Sequence, residues 1–188
     1  AVKAAVVDRH PRDSFTLTTK LHSMYVHSFE DRDKIFNEQL RKTGVGYFDY
    51  YLLHALDAEH YKTVKRLDCF GFAMQKKAEG KVKHVGFSFH DSAEVLDQIL
   101  TEHPEAEFVQ LQLNYLDWTI QRAKEKYELL KQRNIPLWVM EPVRGGKLTA
   151  LDAESEQKLH AIRPEDSIAS FGFRWLQSLD NVTMVLSG

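Results

Sequence analysis

The sequence predicts an α/β fold, a parallel (β/α)8 barrel of the TIM type, incomplete here with about six of its eight strands. Three observations predict it. Short apolar runs alternate with helical patterns at the spacing of βαβ units, which demands parallel strands joined by helical crossovers. No Gly-x-Gly-x-x-Gly follows the first strand, so the fingerprint of an open nucleotide-binding sheet is missing. Polar residues instead recur at the ends of successive strands, at Lys20, His54, Ser88, Asn114 and Glu141, as in a barrel whose site gathers side chains from many strands.

Residues 1–9 carry the pattern of a helix end, closed by His10-Pro11 because the residue before proline is pushed out of the α region. Residues 15–21 alternate apolar and β-branched side chains and predict a strand, followed by a loop over 22–30. A helix starts at Glu30 or Asp31, runs through about Lys42 with Ile35, Phe36 and Leu40 at helical spacing, and stops at Gly44. The run 47–54 is apolar or aromatic at nearly every position, as in a strand covered on both faces, and ends in His54. A helix over about 61–79 stops at Gly80 and a strand follows over 84–89. The helix 92–102 stops before Pro104, the strand 108–115 follows, and the helix 120–133 stops at Asn134. The strand 137–141 leads into Gly145-Gly146-Lys147, then one or two helices near 153–161 and 167–179, then the strand 182–186.

Composition excludes several classes of function. Hydrophobic residues make up 43% of the 188, enough for one buried core. Lys and Arg, 25 in all, are offset by 27 Asp and Glu, which gives no basic footprint for nucleic acid. No run approaches the ~18 apolar residues of a membrane span, and the opening AVKAAVVDRH lacks the parts of a secretory signal. Cys69 is the lone cysteine, so neither an intramolecular disulfide nor a cysteine metal cluster is available, and a reducing cytoplasm is the expected setting. His22 and His27 share the predicted loop without an acid at metal spacing and are expected to be solvated; no metal site is expected. Oligomeric state is not legible. The chain opens without methionine inside a helical pattern and stops directly after a strand, so both ends look cut.

On neighbouring barrel strands, ~4.8 Å apart, Lys20 and His54 converge on one mouth. Lys20 either caps its strand into solvent or lowers the pKa of a neighbouring acid; His54 is either a core histidine or a donor to a carbonyl. His90-Asp91 suits a helix cap, and Arg144 and Lys147 meet either an anion or solvent. Trp118 is expected to line a pocket, and Trp138 and Trp175 to lie in the core.

The ordered segments Thr18-Thr19-Lys20-Leu21, Tyr50-Tyr51-Leu52-Leu53-His54, Val85-Gly86-Phe87-Ser88, Val109-Gln110-Leu111-Gln112 and Glu141-Pro142-Val143-Arg144-Gly145-Gly146-Lys147-Leu148 resemble the aldo-keto reductase superfamily over essentially the whole chain. The resemblance is to the bacterial branch with the Glu-Pro-x-Arg-Gly-Gly-Lys-Leu turn, some members of which carry a C-terminal iron–sulfur segment. It implies one barrel domain over 1–188, lacking the first strands and the C-terminal segment. It implies NADP(H), with NAD as the alternative, and reversible hydride transfer to the carbonyl of a small aldehyde or ketone. An iron–sulfur cluster is implied only if a downstream segment exists.

By the same resemblance, Lys20 matches the lysine that depresses the pKa of a catalytic tyrosine, and His54 the histidine that positions the carbonyl. Ser88 and Gln110 match the residues that hold the nicotinamide carboxamide, Met140 the side chain stacked on the ring, and Val143 and Gly145 the loop over the pyrophosphate. Glu141 stands where a serine is common and is expected to point away. The family's Asp-x-x-x-x-Tyr, which supplies the other half of the tetrad, occurs nowhere in the 188 residues. The chain as given is therefore expected to be inactive alone, as a piece of a reductase. The alternative is a non-catalytic nicotinamide-binding or regulatory protein on the same barrel. An unrelated barrel lyase or hydrolase would need an acid pair or metal cluster at the strand ends, and the sequence offers none.

Overall fold

The structure is a computed structural model and describes residues 1–186. Its contacts divide the chain into two compact units, residues 1–91 with 95–108, and residues 92–94 with those from 109 onward. The first unit opens with a short wide helical turn, Lys3–Val7, and a single turn, Arg12–Ser14. Strand β1 (Thr18–His22), helix α1 (Phe29–Thr43), strand β2 (Phe48–Leu56), helices α2 (Ala58–Arg66) and α3 (Cys69–Ala78), strand β3 (Val82–Phe89) and helix α4 (Ala93–Glu102) follow. Strands β1, β2 and β3 lie side by side in that order, all parallel.

The central strand is the most deeply buried. Phe48, Tyr51, Leu52, Leu53 and Leu56 of β2 are each no more than 1% exposed, the double-sided burial that its continuous apolar run predicts. Asp49 is the exception. Its carboxylate takes Arg12 Nη2 at 2.6 Å, Lys83 Nζ at 2.9 Å and the Leu17 N–H at 2.8 Å, which is how a charge survives inside a strand. These bonds also correct the first strand's start. The Phe15 carbonyl is taken by Arg12 and the Leu17 N–H by Asp49, so the ladder begins at Thr18 rather than at 15. At its other end β1 runs one residue further than expected and includes His22.

Helix α1 forms where its signals lie. Ser28 and Asp31 make a reciprocal capping box at its start, and Gly44, at φ 76°, closes it with an N–H bond to Leu40 O at 2.8 Å. The single helix expected over 61–79 is two. Asp68, at φ 44°, turns the chain and caps the Gly71 N–H, while Arg32 donates to the carbonyls of Leu67 and Asp68 at the break. The start of α2 is held by two aspartates: Asp57 accepts from His60 N–H at 2.7 Å, and Asp91, just beyond β3, accepts from Ala58 N–H at 2.9 Å. The sequence suggests a helix cap at His90-Asp91, and Asp91 does cap a helix, the α2 that precedes it in the chain.

The second unit carries strand β4 (Phe108–Gln112, its first residue in the first unit), helices α5 (Asp117–Ile120) and α6 (Ala123–Gln132), strand β5 (Leu137–Met140), helices α7 (Ala153–Ile162) and α8 (Ile168–Gln177), and strand β6 (Val182–Val185). Strands β4, β5 and β6 are parallel neighbours in that order. Strand β4 stops three residues short of expectation because Asn114 Oδ1 accepts from the N–H groups of Leu116 and Asp117, turning the chain into α5. Arg122, at φ 49°, separates α5 from α6, so the helix expected over 120–133 begins only at Ala123, and α5 forms ahead of it. Trp138 is in the core, but Trp175 is only half-buried. It lines a cavity of about 450 Å³ with Tyr115, Leu151, Leu159 and Phe171. Trp118 packs edge-on against Trp175 at 5.2 Å.

Candidate active site

In the first unit, β1 and β2 place three expected and unexpected side chains in one row. Side chains alternate along a strand, so Lys20 and His22 share a face of β1. The register pairs Lys20 with Leu52 and His22 with His54, which puts His54 on that same face. His54 does not end its strand as expected. Strand β2 continues to Leu56 through an irregularity at Ala55, whose φ is 56° and whose N–H donates to Ser88 Oγ at 2.8 Å. Ser88 is fully buried, and its own hydroxyl proton has no acceptor among the described residues.

Lys20 is tied into the scaffold by its carbonyl, which accepts from Gln39 Nε2 of α1 at 2.8 Å. Its ammonium has no carboxylate partner among the described residues, and burial holds its pKa below the ordinary lysine value. Burial, and then the nearby charge of Lys20, with His22 and His90 contributing less, push His54 down to about 4. At neutral pH His54 is a neutral imidazole beside an ammonium.

His22 belongs to this group, although the sequence pointed to a solvated loop residue. Its ring lies 4.9 Å from that of His54 at 80°, 5.5 Å from His60 at 78°, and 5.7 Å from Tyr25. Its Nδ1 accepts from the Met24 N–H at 3.2 Å. His60 in turn sets its Nδ1 against Asp57 Oδ2 at 2.8 Å. The missed signal was simple: had the strand been carried one residue past Leu21, period-two alternation would have put His22 beside Lys20. Among the described residues no group of three or more His, Cys, Asp or Glu is placed to hold a metal ion.

In the second unit Gln110 of β4 is 2% exposed. Its Nε2 donates to the Met140 sulfur at 3.1 Å, while its buried Oε1 has no partner. Beyond β5 the chain turns tightly, with Glu141, Arg144, Gly145 and Gly146 all at positive φ, between 50° and 87°. The N–H groups of Gly145 and Gly146 make no hydrogen bond among the described residues. Val143 is half-buried and its carbonyl accepts from the Leu148 N–H at 3.1 Å, closing the turn. Glu141 is exposed. The half-buried Arg144 places its Nε 3.5 Å from Oδ1 of the fully buried Asp117, a protein carboxylate that the sequence did not single out. Asp117 Oδ2 is held by Asn114 at 2.6 Å and Gln112 at 2.8 Å, and Asn114 also donates to the Glu141 carbonyl at 3.0 Å. Asn114 thus holds the start of the turn directly, and the Asp117 carboxylate faces Arg144 within it at ion-pair distance.

Parallel strands alternate with helices in each unit, which is an α/β fold, and Lys20 and His54 stand on neighbouring strands of the first. A model of the aldo/keto reductase family matches residues 1–186, and the chain belongs to that family. No curated protein matches it. Among solved structures, a thermostable aldo-keto reductase bound to the inhibitor epalrestat is 18% identical, with a TM-score of 0.77 over 100% of this chain. The chain spans 65% of that protein's length. The holo form of an aldo-keto reductase from Bacillus halodurans gives 19% and 0.74, covering 100% of this chain and 65% of the other. An aldo/keto reductase from Klebsiella pneumoniae, in complex with NADP and acetate, gives 18% and 0.68, covering 100% and 64%. At these identities the likeness is one of fold. No helix among the described residues is long and apolar enough to cross a membrane.

Proposed function

We propose that this chain carries carbonyl-binding and cofactor-binding residues of an NAD(P)H-dependent reductase of small aldehydes or ketones. The observation that carries the reading is that His54, held neutral by burial, and Lys20 lie on one face of neighbouring parallel strands. A carbonyl oxygen becomes more negative as hydride reaches its carbon. A fixed N–H donor and a nearby cation therefore stabilise the transition state more than the ground state. The balanced reaction is carbonyl plus NAD(P)H plus a proton, giving alcohol plus NAD(P)+.

The cofactor, when bound, supplies the hydride. The residues present fit it. In the first unit Ser88 has a hydroxyl proton left to donate, and in the second the buried Oε1 of Gln110 lacks the N–H that a carboxamide offers. Met140 presents a polarizable thioether suited to a ring face. The unpaired N–H groups at Gly145 and Gly146, with Val143 leading into them, suit a phosphate oxygen. The Klebsiella pneumoniae neighbour's NADP favours the phosphorylated cofactor. A single, buried cysteine suits the reducing cytoplasm.

The test is NADPH oxidation by the complete protein with a simple aldehyde, beside NADPH binding followed by tryptophan fluorescence. Turnover that falls about a hundredfold or more in Lys20→Met or His54→Phe, with NADPH still bound, supports the reading. NADPH binding without turnover in the unsubstituted protein would favour the non-catalytic alternative, and no binding at all would end both.

A further inference from the structure

Resting on that reading and going beyond it, we infer that His22 is a second hydrogen-bond donor of the same site and selects carbonyl substrates bearing an oxygen on the neighbouring carbon. His22 and His54 face each other across paired strands, with ring centroids 4.9 Å apart. The backbone N–H of Met24 can only donate, so His22 Nδ1 accepts and the neutral ring carries its proton on Nε2. That Nε2–H has no acceptor among the described residues.

The ring is also held in place. A carboxylate can only accept, so Asp57 takes the Nδ1–H of His60 and fixes that ring against one side of His22. Tyr25 lies against another. The result is an oriented donor with one nitrogen given to the scaffold and the other unpaired. A half-buried N–H without a partner has lost part of its hydration and gains by meeting an oxygen.

Two separate donors on one face match two oxygens better than one. Oxygens on adjacent carbons lie within about one hydrogen-bond length of each other, about 3 Å. A 2-hydroxy or 2-oxo aldehyde therefore offers its reacting carbonyl to His54 and its second oxygen to His22. A plain aldehyde leaves the His22 N–H unpaired, and sites that hydrogen-bond a substrate group discriminate against analogues that lack it.

The experiment compares kcat/KM for glycolaldehyde and propionaldehyde, which are similar in size and differ in the second oxygen. The unsubstituted protein is expected to favour glycolaldehyde by about tenfold, one hydrogen bond's worth. His22→Phe, which keeps a ring against His54, is expected to erase most of that ratio, and His22→Gln, which can donate, to recover part of it. A merely structural role for His22 would lower both substrates alike and leave the ratio unchanged, which overturns the inference while the reductase reading stands. A ratio of one or less in the unsubstituted protein overturns it without recourse to any variant. Reduction of neither aldehyde overturns the reductase reading, and this inference with it.

Discussion

Gly86 of β3 lies directly against Phe108: a Cβ there would collide with the Phe108 carbonyl oxygen and stand 2.7 Å from the edge of its ring. The obstacle is backbone, which cannot swing aside as a long side chain can. Gly86→Ala is therefore expected to destabilise the protein by about 1–3 kcal/mol. A lowered urea midpoint at unchanged m-value checks it; an unchanged midpoint would mean that the strand accommodates a methyl group.

Asp49 is a charge with three partners and almost no water, at 4% exposure. Burial alone would raise its pKa, but Arg12, the Leu17 N–H and Lys83 outweigh that and hold the carboxyl below its ordinary value. Asp49→Ala leaves the Arg12 guanidinium beside an empty, buried space and is expected to cost about 3–5 kcal/mol. Chemical denaturation measures it. Because the folded carboxyl has the lower pKa, its contribution is present at neutral pH and fades as pH falls through that value.

The pH dependence of His54 has a definite sign. Its folded value of about 4 lies below the ordinary 6.5, so the unfolded chain binds the proton first as pH falls. Stability from this residue is present above about 6.5 and is lost between there and about 4. Imidazole NMR should show one histidine titrating near that lower value. Lys20→Met removes a neighbouring positive charge and should move the same resonance upward; no movement would mean that Lys20 does not act on His54.

Cys69 begins α3 at 1% exposure, and burial pushes its thiol up to about 11. The thiolate is the reactive form, so the folded protein should react with a disulfide reagent far more slowly than a free thiol at neutral pH. The rate should rise to the ordinary value on adding denaturant. Fast labelling of the native protein would contradict the burial of α3.

How much of this was legible depended on whether a signal was local. Gly44 and Ser28 bound α1 because caps act within a few residues, and the buried run of β2 shows in its own composition. The break at Leu67-Asp68 was not legible, because the carbonyls freed there are satisfied by Arg32, more than thirty residues away in sequence. The same holds for Asp49, an acid in an otherwise apolar run whose partners lie on other elements. At the site, Lys20 and His54 were found through their motifs, whereas His22 was hidden by a strand end misplaced by one position. Arg144 was visible as a charge, but its partner Asp117 required knowing that Asn114 turns the chain.

The bond from Ala58 N–H to Asp91 spans 33 positions of sequence. During synthesis, at roughly 5–20 residues per second, the start of α2 emerges about two to seven seconds before the carboxylate that completes it. Over that interval the nascent helix has Asp57 alone at its amino end, and β3 must arrive before the second acceptor is in reach. The ribosome thus delivers this α/β unit in an order that makes the third strand, rather than the second helix, the event that closes it.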